Sequence, residues 1–443
     1  MLDIKFIRNH PDLIKEACRK KQVEVDIDQL LETDKKRRET IQALEDMRAQ
    51  KNKVSKEIPK LKSEKEKKKL ILEMRELDKN SDRLDKTLAA VEEEFNELMF
   101  KVPNLPFGDV PEGHDERDNL VLRQVGGKTK FDFKPKDHLE IAEKLDIIDV
   151  KKASKIVSSR FGYLKKELAL MELALIQYTF DVLTSKTVIK KIAESVKNGY
   201  SDKVFIPIIP PVMINPETYV KMARLSEKDK DERYYFPKDD LYLIGSAEHT
   251  LGPLHMDEII NEKDLPIRYL GFSTCFRREA GSYGKDTKGI LRVHQFDKVE
   301  MESFTTPENS LLEQNFFIAI QEYLMQSLNI PYQVVLICTG DMSIPDARQV
   351  DIEAWLPGQG KYRETHTADL MTDYQARRLN TRTKRKGGEI EFVHMNDATA
   401  FAVGRTLIAI IENYQQKDGT VVVPEALQKY LNFKTIQWKE NLF

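Results

Sequence analysis

The first hundred residues contain no glycine and only two prolines, Pro11 and Pro59, yet they carry 24 basic and 23 acidic side chains. Glycine and proline are the residues that most readily turn a chain or end a helix, so a charged stretch almost without them favours long helices. From Leu70 the apolar residues fall at Leu70, Met74, Leu77, Leu84, Leu88, Val91, Phe95 and Leu98, the alternating four-three step of a coiled-coil seam that only Ser81 interrupts. A less regular stripe runs through Leu30, Ile41, Leu44, Met47, Val54, Ile58 and Leu61. Pro59 would remove a backbone donor and clash one turn back, so the two stripes belong to separate helices, with a hairpin turn expected near residues 60 to 66. At about 1.5 Å per residue, two antiparallel helices of about 35 residues make an arm roughly 50 Å long. Lys51 to Leu70, at its tip, holds nine lysines against three glutamates. That excess suits phosphate contact, although a lysine-rich turn is also an ordinary solvated surface.

The texture changes at VPNLPFGDVPEG, residues 102 to 113, where recurring proline and glycine end any helix. The expected division is a helical arm domain over 1–101, a linker over 102–130 and a globular domain over 131–443. Within the last, a long helix is expected from Tyr163 to Lys197. Strands are expected at residues 204–210, 241–244, 268–276, 291–303, 332–337, 350–355 and 390–394, and a closing helix from near Thr399. These strands mostly follow one another without the helices a parallel sheet needs between its strands. The expected class is therefore α+β, an antiparallel sheet flanked by helices.

Several chemistries are excluded. GKDT at residues 284 to 287 lacks the upstream glycine spacing and the hydroxyl of a phosphate loop, no GxGxxG occurs, and the eight histidines form no HExxH pair. Cys18, Cys275 and Cys338 are too few and too far apart for a zinc knuckle or a disulfide framework. No run approaches the about 20 apolar residues of a membrane span, and charges interrupt the start where a signal peptide would be apolar. A net charge of −2 argues against bulk attraction to nucleic acid. The expectation is a cytoplasmic protein with neither membrane nor DNA as partner.

The most chemical segment is CFRREAGSYGKDTKGILRVHQFDKVEME, residues 275 to 302. By a period of two, Arg277 and Glu279 share one face of a first strand, and His294, Phe296, Lys298, Glu300 and Glu302 share one face of its return. Phe296 and Glu300 would lie about 13 Å apart, enough to hold two ends of an extended ligand. An aromatic ring suits a purine, a carboxylate an ammonium and an arginine a phosphate, while the bland alternative is a charged surface hairpin.

FRREAGSYGKDTKGILRVHQFDKVE resembles motif 2 of the seryl-tRNA synthetase family of class II aminoacyl-tRNA synthetases nearly residue for residue. VPNLPFGDVP, GYSDKVFIPIIPPVMIN, DYQARRLNTR and AVGRTLIAIIENYQQKDGTVVVPEAL resemble that family in the same order, so the likeness covers the whole chain, arm included. The resemblance implies an ATP-dependent, AMP-forming serine–tRNA ligase. It implies a homodimer with Pro210 and Pro211 near the interface. It also implies an arm that grips the tRNA for serine and, by the same logic, the tRNA for selenocysteine.

Residue by residue, the likeness makes Arg277, Glu279 and Arg405 catalytic. It assigns Arg277 to the α-phosphate, Glu279 to the adenine side, Phe296 to adenine stacking and Arg405 to the γ-phosphate. Arg278, Glu364, Thr365, His366 and Thr367 complete the ATP contacts, with Glu364 coordinating Mg²⁺. Serine would be bound by Ser246, Ala247, Glu248, Arg277, Glu300 and Thr399, the last reading the hydroxyl. The chain departs from the family pattern where Glu-Ile-Ser-Ser-Cys-Ser-Asn becomes residues 364–370, ETHTADL, and where Asn-Gly-Ser becomes Asp397-Ala398-Thr399. Asp369 is expected to pair with a nearby cation and His366 to tune phosphate contact. The rivals are a ligase that loads an amino acid onto a carrier protein, whose relatives lack the arm, and a non-catalytic paralogue, which would be expected to lack the phosphate-binding arginines.

Overall fold

The computed structural model describes residues 1–280 and 289–438. The glycine-rich loop of the motif 2 segment, with GKDT, lies largely outside the described residues. The chain divides into two compact units, Met1–Pro103 and Asn104–Phe443.

In the first unit two short helices, Ile4–Asn9 (α1) and Pro11–Lys20 (α2), precede the pair Ile27–Glu57 (α3) and Glu64–Lys101 (α4). Asp26 caps α3 by accepting from Gln29 N at 2.9 Å, and Ser63 caps α4, so each long helix begins where a side chain satisfies its open donors. A 3-10 turn over Ile58–Lys60 takes up Pro59, as the fold-back requires. Gln29 meets Glu94, Arg37 meets Glu92, Arg48 meets Asp85 and Lys51 meets Asp78, an order that only antiparallel helices produce. Leu30, Leu44, Val54, Phe95 and Leu98 are buried along the seam, and so is Ser81, the position that breaks the apolar repeat.

The second unit is built on an eight-stranded sheet. Its strands are Leu120–Val125 (β1), Ile206–Ile208 (β2), Ile267–Phe276 (β3), Gln295–Thr305 (β4), Tyr332–Leu336 (β5), Arg348–Leu356 (β6), Lys361–Thr372 (β7) and His394–Ala402 (β8). They lie in the order β1-β5-β6-β7-β8-β4-β3-β2, antiparallel throughout except for the parallel pair β2 and β3. Alternation gives the sheet two unlike faces. Val299, Met301, Val350, Ile352, Ala368, Ala398 and Ala400 join one core with residues of helices Lys166–Leu183 (α5), Ser310–Ser327 (α6) and Val403–Asn413 (α7). The opposite face carries Lys298, Glu300, Glu302, Thr367, Asp369, Asp397 and Thr399.

Several sequence expectations are corrected. The helix expected over 163–197 is two helices, α5 and Lys186–Val196, bent by 69° at the break. Leu241–Leu243 pairs with Met213–Ile214 and Tyr235–Phe236 in a separate small sheet. The second motif 2 strand starts at Gln295 rather than Leu291. β7 has no counterpart among the expected strands, and Thr399 lies within β8, with the closing helix beginning only at Val403. Among the described residues no single helix is long and apolar enough to cross a membrane.

Candidate active site

β3 ends at Phe276, so Arg277 and Glu279 are not on a strand as their period suggested; Glu279 adopts a left-handed φ of 53°. The chain is nonetheless pinned there. Arg277 N donates to His294 O at 3.0 Å, and Arg160 Nη1 donates to the Glu279 carbonyl at 2.9 Å. The Glu279 carboxylate accepts from Arg292 Nη1 at 2.7 Å. Arg277 Nε donates to Gly245 O at 3.2 Å, and its guanidinium lies 5.3 Å from the centre of the Phe296 ring. The motif 2 arginine thus ties β3, β4 and the 244–248 segment together.

That segment leads into the short helix Glu248–Leu251, which lies against the sheet because residue 271 is glycine: a Cβ there would come within 2.6 Å of Leu251 Cδ1. Ala247 packs in this contact, in the small core with Leu251 and Tyr269, and does not face the cavity. Ser246 is buried, donates to Glu300 Oε1 at 2.8 Å and lies 3.2 Å from Lys298 Nζ. Lys298 also pairs with Glu300. The second oxygen of Glu300, in a side chain with no exposure, has no partner.

A cavity of about 210 Å³ opens over the polar sheet face, lined among others by Glu248, Arg277, Glu279, Phe296, Glu364 and Arg405. Thr365, Thr367, Thr399, Arg224, Asp369 and Gln349 complete much of its floor. On β7 the register against β6 slips between Ile352 and Glu353, leaving Thr365 as an extra residue. The bulge lets Glu364 and Thr365 both reach the cavity, with Thr367 and Asp369 following by alternation. Between Thr365 and Thr367, His366 faces the other way by the same alternation: the ring is buried, hydrogen-bonded to Thr365 Oγ1 at 2.8 Å and 5.3 Å from Phe401, and burial pushes its pKa down to about 3. His366 therefore stays uncharged and away from the cavity, contrary to its expected phosphate contact. Arg278 is exposed and also stands outside the lining.

Arg405, in the first turn of α7, reaches Glu364 Oε1 at 3.2 Å and the Glu364 carbonyl at 3.0 Å. Partial loss of water in the cavity wall opposes ionisation of Glu364, but Arg405, with Arg277 and Lys298, holds it below the ordinary glutamate value. The side chain is 51 % exposed, a charged carboxylate open to a ligand.

Arg224 carries no sequence signal, since it stands outside every motif in the turn after helix Pro216–Lys221. It is nevertheless the hub of the cavity's inner end, 3.0 Å from Glu248, 3.0 Å from Asp397, 3.5 Å from Asp369 and 3.8 Å from Asp346. The cation expected for Asp369 is this arginine. Glu302, Asp397 and Asp369 are direct cross-strand partners on β4, β8 and β7, an acidic row that mutual repulsion disfavours in its fully charged form. Burial, then Asp346 and Asp397, raise Asp369 well above the aspartate range. Burial, then Asp397 and Glu248, do the same for Glu302, and burial with Glu248 pushes Asp397 up to about 7. Burial works against the Glu248 charge too, but Arg224 outweighs it and holds that carboxylate well below its ordinary value.

Residues 1–106 match the family model described as seryl-tRNA synthetase N-terminal domain, and residues 233–414 match the tRNA synthetase class II core domain (G, H, P, S and T). A serine–tRNA ligase of Dictyoglomus turgidum is 41 % identical over 99 % of this chain and 100 % of its own. The chain belongs to the seryl-tRNA synthetase family. The crystal structure of seryl-tRNA synthetase from Pyrococcus horikoshii complexed with ATP superposes with a TM-score of 0.88 at 38 % identity, covering 99 % of this chain and 100 % of that one. The cytoplasmic enzyme of Naegleria fowleri in complex with AMP gives 0.84 at 32 %, covering 99 % of each chain. Arg277, Glu279, Glu364 and Arg405 line one cavity, whereas Ser246 and Glu300 are buried outside its lining. Of the other lining residues that motif reading passes over, Lys298 is visible by its alternation on β4, whereas Arg292 and Gln349 carry no signal.

Proposed function

We propose that the cavity activates L-serine with ATP, releasing pyrophosphate, and that the chain then transfers serine from the adenylate to the 3′ end of serine tRNA and, by the family's logic, of selenocysteine tRNA. The observation that carries this reading is the convergence of Arg277, Glu279, Phe296, Glu364 and Arg405 on one cavity whose inner end holds Glu248 and Thr399.

Each residue has a task that its surroundings support. Phe296 offers a ring for adenine, and Glu279 stands on the same side. Arg277 binds the α-phosphate and stabilises the charge that builds there as the serine carboxylate oxygen attacks phosphorus and the bond to pyrophosphate breaks. Arg405 takes the γ-phosphate. Thr367 adds a hydroxyl along the same wall, while that of Thr365 is taken up by Ile352 O and His366. At the other end, the unpartnered oxygen of Glu300 and the charged Glu248 receive the serine ammonium, while Ser246 and Lys298 hold Glu300 in place. Thr399, whose hydroxyl lies 3.5 Å from Glu300 Oε1, would meet the serine hydroxyl. This is catalysis by positioning and electrostatics, with no bond to the protein.

Glu364 fits a magnesium ion: a half-exposed charged carboxylate on the cavity wall is a hard oxygen donor, and magnesium is usually held by one or two carboxylates plus substrate phosphates. When bound, the ion neutralises phosphate charge. The arm's lysine-rich tip supports contact with tRNA phosphates through shape rather than base reading. A homodimer is supported by the edge strand β2 and the segment after it, where Ile206, Ile209 and Met213 are exposed, Ile209 to 83 %. A cytoplasmic location accords with three buried, unbridged cysteines. The functional division has the arm at 1–101 and the catalytic domain at 131–443, with 102–130 joining them and lending β1 to the catalytic sheet.

The test is ATP–pyrophosphate exchange with Mg²⁺ and a panel of serine, threonine, alanine, glycine and cysteine, without tRNA. Exchange strongly favouring serine is expected; another preferred amino acid, or none, would overturn the reading.

A further inference from the structure

We infer that Arg224 determines which amino acid the pocket accepts, acting as a built-in cation in the place where a substrate's side-chain ammonium would otherwise sit. The inference rests on the serine-activation reading and names its selectivity device.

Three observations carry it. First, Arg224 lines the cavity and ion-pairs with Glu248, one of the two carboxylates assigned to the substrate ammonium, so it touches the amino-acid end directly. Second, the guanidinium lies over a row of carboxylates that run strand to strand, Glu302 opposite Asp397 and Asp397 opposite Asp369, with Asp346 3.8 Å away. Third, that row is not satisfied by protein alone: Asp397 Oδ1 and both oxygens of Glu302 have no hydrogen-bond partner, in side chains 1 % and 0 % exposed. Lys298 pairs most closely with Glu300, which leaves Arg224 as the cation in direct contact with Glu248, Asp397 and Asp369.

With Arg224 present, a second ammonium entering the pocket meets a fixed positive charge, and a neutral hydroxyl side chain does not. Without it, Glu248 and Asp369 in the lining, with Asp397 buried beside them, lose their shared guanidinium, and an amino acid that brings its own side-chain cation supplies a replacement. The smallest such substrate is L-2,3-diaminopropionate, which is serine with an amine in place of the hydroxyl. Selection here works by repulsion of the wrong ligand as much as by attraction of the right one.

The experiment measures kcat/KM in ATP–pyrophosphate exchange for serine and for L-2,3-diaminopropionate near neutral pH. Wild-type protein should prefer serine. Arg224→Met, which keeps length and removes charge, should move the ratio toward diaminopropionate by about a hundredfold. Adding Asp397→Asn to that variant should return part of the shift, because it removes one of the acids the ligand's cation would pair with. A ratio in Arg224→Met equal to wild type, or a proportional loss for both amino acids, would overturn the inference. If Arg224→Met does not fold, Asp397→Asn alone decides: with Arg224 kept and one acid neutralised, rejection of diaminopropionate should sharpen, and an unchanged ratio overturns the inference. Failure of wild-type protein to use serine would refute the underlying reading instead, which separates the two failures.

Discussion

Arg277 touches Gly245, lies over Phe296 and has its backbone held by His294, so its guanidinium is fixed before any ligand arrives. A preorganised donor at the reacting phosphate does not have to be reoriented during the reaction, and removing one such donor costs about 10²–10³ in kcat. Arg277→Ala should show that loss in serine-dependent exchange while its thermal unfolding stays close to wild type, since the residue is only partly buried. Asp397 makes a prediction of a different kind. Its carboxyl is pushed up to about 7 from an ordinary 3.8, so between those values the folded chain holds a proton that the unfolded chain has released. The Asp397 contribution to stability is full below the ordinary aspartate value and is lost as pH rises through about 7. Asparagine has nothing to titrate. Asp397→Asn should therefore gain stability relative to wild type between about pH 5 and about pH 8, read from urea midpoints at each pH. A difference that does not grow with pH would refute the assignment.

At the scale of elements, the residues that announce a strand are not always the ones that make the site. β3 and β6 are legible because branched and apolar residues alternate along them. β7 is not: its sequence, KYRETHTADLMT, is polar for most of its length, and the bulge at Thr365 breaks the period of two where chemistry needs two neighbours on one face. β8 reads as the beginning of a helix because Ala-Thr-Ala-Phe-Ala has helical composition, yet it lies inside the sheet between β7 and β4, where tertiary pairing overrides propensity. The expected helix over 163–197 breaks near Thr184 and Ser185: Thr184 Oγ1 bonds back to Phe180 O at 2.7 Å, and Ser185 takes an extended conformation. Motif residues whose neighbours are also patterned, such as Arg277, Phe296 and Arg405, can be found from sequence. Arg224 is invisible there because only tertiary structure brings acids from several other segments to it. The bulge brings Glu364 to the cavity, while His366 keeps to the core side opposite Ile352. Its ring packs on the core side, so His366→Ala should cost about 2–4 kcal/mol in chemical unfolding through the cavity it leaves. The KM for ATP should stay within about threefold of wild type, below the tenfold that about 1.4 kcal/mol of weakened binding would produce. A large rise in that KM with stability unchanged would instead place the imidazole at the phosphates.

Across the whole molecule, the proposed chemistry and the proposed tRNA contact are divided between a cavity of mixed charge in one unit and a lysine-rich helix tip in the other. The net charge of −2 hides this, because the excess of lysine near the turn of the arm is balanced by acids elsewhere. The division yields a test that leaves the catalytic site untouched. Lys65, Lys67, Lys68 and Lys69 stand in the first turns of α4, and Ser63 starts that helix whether or not the lysines are present. Replacing all four by alanine keeps helix propensity and removes four positive charges. Serine-dependent exchange without tRNA should then be unchanged, because no lining residue is altered. Aminoacylation should show a raised KM for tRNA with kcat nearly preserved. The dependence of tRNA affinity on salt should flatten by about one unit of log–log slope for each phosphate that the arm no longer neutralises. A purely solvated tip would leave both the KM and the salt slope where they were, and a tip that held only the fold of the arm would change unfolding without changing the slope.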